Sequence, residues 1–191
     1  LDTQWLWTVQ TTIDHYLYRT LTQNFWLIDH YPGYIFNFEG AVRYQWAKEY
    51  YPTEYERLKN YIKAGRWNIS GSSWDSTDPN IPSPESFFRN LLYGQEFFKK
   101  EFGKKSNDIF LPDCFGFGYT LPTIAAHSGI IGFSTQKLQH RKLPFYGDHK
   151  LPFMFGLWEG IDGARIMAVP HAQDYVSRFD GQELSNNGKL V

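Results

Sequence analysis

From Tyr34 to Thr135 the chain alternates short apolar runs of strand character with longer helical stretches, and this alternation constrains its architecture more than any other feature. Tyr34-Ile35-Phe36-Asn37-Phe38 follows a Pro32-Gly33 turn and is stopped by Glu39-Gly40, the pattern of a short buried strand. Helices are predicted over 42–50 and 53–64, the second with Thr53 as N-cap, Glu56 as its capping-box partner and Gly65 as stop. Trp67 to Gly71 reads as the next strand, and Ser83 followed by Pro84 opens a helix to Phe102. Ile109-Phe110-Leu111, a helix over 122–128 and Gly132-Phe133-Ser134-Thr135 continue the series. Upstream, Val9, Ile13, Leu17 and Leu21 mark one face of a helix over 8–23. Downstream, 153–158 and 165–169 flank a Gly160-Ile161-Asp162-Gly163 turn and predict an antiparallel hairpin inserted after the alternating units.

Strand–helix–strand repetition predicts crossover connections and hence an α/β fold with a mostly parallel sheet, either open or closed into an incomplete barrel. Chemistry in such sheets collects beyond the carboxyl ends of the strands. Four polar segments take such positions: 2–5, 37–40, 74–80 and 113–116.

The net charge of −1, with no run of like charges, gives no electrostatic reason to expect a nucleic acid or an anionic membrane as partner. A neutral ligand fits better, and the 19% aromatic content supplies rings that can stack on the apolar faces of sugars as well as fill a core. Cys114 is the single cysteine, which excludes an internal disulfide framework and a Cys-rich zinc site. No run approaches the roughly 20 apolar residues of a membrane span. The opening Leu1-Asp2-Thr3-Gln4-Trp5, without Met or an apolar leader, and the polar, turn-rich 180–189 stretch predict a piece of a longer protein.

The most informative segment is Leu111-Pro112-Asp113-Cys114-Phe115-Gly116-Phe117-Gly118, which places a carboxylate directly after an apolar strand and before glycines that let a ligand approach closely. By pattern alone, an Asp that caps the following turn fits equally. Asp2-Thr3-Gln4-Trp5-Leu6-Trp7 combines a carboxylate with two indoles, and Trp74-Asp75-Ser76-Thr77-Asp78-Pro79-Asn80 is a polar loop ahead of a helix start, with Asp-Pro-Asn also an ordinary turn. Lys137 follows Phe133-Ser134-Thr135-Gln136 at a strand end, and Tyr175 follows Pro170-His171.

Taken in order, these motifs resemble those of glycoside hydrolase family 38 α-mannosidases, over 2–175. The resemblance implies that the chain is part of the N-terminal, seven-stranded β/α-barrel-like catalytic domain of a retaining α-mannosidase acting on mannose-containing oligosaccharides or glycans. It makes Asp113 the nucleophile and also a zinc ligand, Asp2 a second ligand of that one divalent ion, and Trp5 a ring stacked on the sugar. Asp78, Asn80, Lys137 and Tyr175 become substrate-binding residues, with Ser76 where the family pattern often carries Glu. Two zinc histidines and the general acid are expected outside the chain, because His15, His30, His127, His140, His149 and His171 fall in no ligand motif. The segment alone is therefore expected to lack hydrolytic activity and to bind zinc poorly. Two other readings stay open: a non-catalytic carbohydrate-binding relative, and a metal-dependent polysaccharide deacetylase, which the missing His-x-x-x-His pair disfavours.

Overall fold

The structure, a computed structural model, describes residues 1–136 and 155–169. Helical structure begins behind Thr8, whose hydroxyl accepts from the Thr11 N–H. It runs as α1 (Val9–Thr11), a π-helical stretch (Thr12–Leu17) and α2 (Tyr18–His30). The helix outlasts the predicted end at residue 23 because Phe25 and Ile28 extend the buried stripe of Leu17 and Leu21.

Strand β1 (Phe36–Glu39) pairs in parallel with β2 (Trp67–Ser70), in a register that sets Phe36 beside Trp67. The crossover between them is α3 (Ala41–Tyr50) and α4 (Pro52–Lys63). Thr53 lies inside α4 rather than capping it: Pro52 takes the first turn, where its missing N–H costs nothing, behind Tyr51. Helix α5 (Pro84–Phe102) starts at the predicted cap, with the Ser83 hydroxyl accepting from the Ser86 N–H. It leads to β3 (Asp108–Phe110), followed by α6 (Leu121–His127) and β4 (Gly132–Ser134).

The hairpin of β5 (Gly156–Glu159) and β6 (Arg165–Val169) forms around the predicted turn, but it is no appendage. Strand β6 pairs in parallel with β4, so the sheet runs β3-β4-β6-β5 and the return strand becomes its edge. The described strands therefore build two small sheets, one parallel and one mixed, with no closed ring among them. Asp108 links the two: its carboxylate accepts from the Ser70 hydroxyl (2.6 Å) and the Gly71 N–H (3.1 Å), and its carbonyl accepts from the Ser72 N–H (2.8 Å).

One core, around β1 and β2, is strongly aromatic, with Phe25, Phe38, Tyr44, Trp67 and Phe98 buried together. Its polar tips are satisfied in series: the Trp67 indole donates to the Tyr44 hydroxyl (3.0 Å), which donates to the Phe38 carbonyl (2.8 Å). A second core, of Phe87, Leu91, Ile109, Leu121, Phe133 and Ile166, lies against the mixed sheet. Helix α5 contributes to both and presses on the backbone after β2 at Gly94, where a Cβ would lie 2.3 Å from the Ser73 carbonyl carbon. Gly94→Ala forces two backbones apart and is expected to cost about 1–3 kcal/mol, read as a lower urea midpoint with an unchanged slope.

Candidate active site

The carboxyl ends of β1 and β2 and the segment after β3 open onto a cavity of about 490 Å³, and the 1–5 segment closes one side of it. All four polar segments singled out in the sequence contribute: Asp2 and Trp5 from the first, Glu39 from the second, Asp75 and Ser76 from the third, and Asp113 from the fourth. Glu39, Asp75 and Asp113 meet because they lie at or beyond the carboxyl ends of β1, β2 and β3 respectively, and the 1–5 segment packs across them.

Asp113 is exposed and stands three residues past β3, on a segment whose Leu111 is buried and whose backbone is held by a Leu111 N–H bond to the Ser134 carbonyl (3.0 Å). The loop after β2 braces the same segment: the Asn80 amide donates to the Gly116 carbonyl (2.8 Å) and the Cys114 thiol to the Thr77 carbonyl (3.4 Å). Burial, with the Asp78, Asp113 and Glu39 carboxylates nearby, pushes the Cys114 thiol up to about 11. It is a protonated thiol at neutral pH, poorly suited to nucleophilic attack.

Asp2 is exposed, and the Trp5 ring is 65% exposed with Trp7 packed edge-on at 5.6 Å, so a broad indole face stands at the rim. Asp78 and Asn80 are not part of the cavity lining. Asp78 accepts from the N–H groups of Asn80 (2.7 Å) and Ile81 (3.2 Å), which shapes the loop as an Asx turn. Lys137 and Tyr175 lie outside the described residues, as do His140, His149 and His171. His15, His30 and His127 face Arg19, the Trp26 carbonyl and Asp162 respectively, and none lines the cavity.

Sequence reasoning gave no role to the residue at the base of the cavity. Arg43 is only 2% exposed and reaches Glu39 (3.3 Å) and Asp75 (3.2 Å). The signal was present: an arginine four residues after a glutamate, between Val42 and Tyr44 on a helix that is otherwise apolar at its start. Its position depends on Gly40, whose φ of +81° suits glycine and whose missing Cβ leaves room for the guanidinium, since Nη1 would lie 2.0 Å from it.

The lining carries four carboxyl groups against one guanidinium, an excess of negative charge that suits a divalent cation. While Glu39 and Asp75 pair with Arg43, Asp2 and Asp113, the two carboxylates that the family resemblance implies as metal ligands, both line the cavity. They would fill half of a tetrahedral zinc set. No group of three or more metal-binding side chains occurs among the described residues.

The sequence matches the model of the glycosyl hydrolases family 38 N-terminal domain over residues 1–188. It is 42% identical over 195 aligned residues to alpha-mannosidase G of Dictyostelium discoideum, covering 100% of this chain and 17% of that protein. It is 35% identical to human alpha-mannosidase 2C1, covering 87% of this chain and 16% of that protein. The chain thus spans about one sixth of the length of these relatives. Among solved structures, an alpha-mannosidase from Enterococcus faecalis V583 superposes with a TM-score of 0.72 at 21% identity, covering 88% of this chain and 18% of that one, a likeness of fold.

Proposed function

The chain belongs to glycosyl hydrolases family 38, and from that premise we propose that the full-length protein hydrolyses terminal α-mannosidic linkages of oligosaccharides or glycans with retention of configuration. The observation that carries this reading is the convergence of Asp2 and Trp5 with Asp113, from segments more than 100 positions apart, on one cavity. The described strands would form one side of a β/α-barrel-like domain that the rest of the protein completes.

Retention requires two carboxyl groups about 5–5.5 Å apart, one to attack the anomeric carbon and one to protonate the leaving oxygen and then activate water. Asp113 is assigned the attack: it forms the glycosyl–enzyme ester as the glycosidic C–O bond breaks, and water later releases the sugar. The proton donor comes from outside the described residues. Trp5 stacks on the sugar's apolar face. Asp78 and Asn80, in the loop that braces the Asp113 segment rather than in the cavity lining, are assigned to sugar hydroxyls together with Lys137 and Tyr175. Zinc would be held by Asp2 and Asp113 with two further ligands from elsewhere in the protein, and it would supply a Lewis-acidic template for vicinal hydroxyls.

The test is turnover of an aryl α-mannoside by the full-length protein with added zinc and with chelator, the first-formed anomer being read by proton NMR. The expected result is α-mannose as first product and at least a tenfold loss on chelation. β-Mannose as first product rules out retention, full activity in chelator rules out the metal, and sugar binding without turnover favours a carbohydrate-binding protein.

A further inference from the structure

Around Arg43 a set of half-buried hydrogen bonds ties the 1–5 segment to the rest of the fold, and no step of the proposed reaction uses it. Arg43 Nε donates to the Leu1 carbonyl (2.6 Å) and Nη2 to the Thr3 hydroxyl (2.9 Å). The same hydroxyl lies 2.7 and 2.8 Å from the two Asp75 oxygens. On the far side, the Trp7 indole donates to the Thr12 hydroxyl (2.7 Å), which donates to the Thr3 carbonyl (2.8 Å). Asp75 is itself located by α5: the Asn90 side chain accepts from the Asp75 N–H (3.1 Å) and donates to its carbonyl (2.8 Å).

The residues on either side of Asp2 are thus both anchored, Leu1 through its carbonyl and Thr3 through its hydroxyl and carbonyl. The anchors come from α3, from the loop after β2 and from the π-helical stretch. Asp2 makes no part of the clamp, and its side chain lines the cavity.

We propose that Thr3, Arg43 and Asp75 form a positioning clamp that sets the Asp2 carboxylate and the Trp5 ring in the cavity and so governs turnover. The clamp rests on the mannosidase reading only for its consequence in catalysis; the tether itself is a property of the fold. Arg43 and Asp75 are positioning residues, acting through the 1–5 segment.

Thr3→Val removes the hydroxyl that joins the segment to both charged partners while leaving Arg43 paired with Glu39 and Asp75. Wild type, Thr3→Val and the conservative Thr3→Ser are compared in the full-length protein by kinetics on an aryl α-mannoside, thermal midpoint and amide hydrogen exchange of residues 1–7. Thr3→Val is expected to lower kcat by roughly 10- to 100-fold, as small misplacements of reacting groups do, with KM changed by less than about threefold. Exchange in 1–7 rises at least tenfold, the thermal midpoint hardly moves, and Thr3→Ser restores both kcat and protection. Unchanged exchange overturns the clamp. Faster exchange with unchanged kcat overturns its role in turnover, as does a drop in kcat that only tracks a fall in thermal midpoint. If the wild type has no mannosidase activity, the functional reading fails separately and exchange in 1–7 alone decides whether the clamp exists.

Discussion

Asp113→Ala in the full-length protein is expected to lower aryl α-mannoside turnover by at least about three orders of magnitude, because removal of an attacking group abolishes the covalent route. Stability is expected to stay within about 0.5 kcal/mol, since the side chain is exposed and surface positions tolerate truncation. The segment keeps its place through Leu111, Asn80 and Cys114, all of which the variant retains. Single-turnover and steady-state kinetics, with denaturation as control, measure both quantities. Turnover within tenfold of wild type would remove Asp113 as nucleophile, and no thiol stands ready to replace it with Cys114 protonated up to about 11.

Arg43→Met is expected to cost about 3–5 kcal/mol of folding stability, the loss typical when one member of a buried ion pair is removed and its partner left uncompensated. Glu39 is 8% exposed and keeps only the Ser76 hydroxyl (2.9 Å) among its described side-chain partners, while Asp75 keeps Thr3. Urea titration measures the cost. A loss below about 1 kcal/mol would equate the group with exposed pairs such as Glu56–Lys59, and would show that solvent reaches the network.

Much of the fold could be read from the chain because its local signals agree. Ser83 with Pro84 fixed the start of α5, and the strands containing Phe38, Ile69, Ile109 and Phe133 were each short apolar runs between breakers. Misreadings arose where tertiary context decides. Thr53 has the chemistry of a cap, yet Pro52 already begins the helix. The hairpin was recognisable from its turn, but that β6 would pair in parallel with β4 is a long-range choice with no local signature. The candidate site was legible as a set of polar segments, and the cavity collects Asp2, Trp5 and Asp113 from them but not Asp78 or Asn80. Arg43 could not, because an arginine becomes buried only where carboxylates from two other segments await it, and sequence spacing shows only the nearer of these, Glu39.

The bond between Thr3 and Asp75 spans 72 positions, and that between Arg43 and Leu1 spans 42. Contacts of such separation reward the chain only after the intervening loop entropy has been overcome. The aromatic core around Trp67 is built from the helices and strands of residues 9–102, with Leu1 packed against it. The cavity is therefore assembled from segments remote in the chain, and its shape is a property of the completed fold rather than of any single loop.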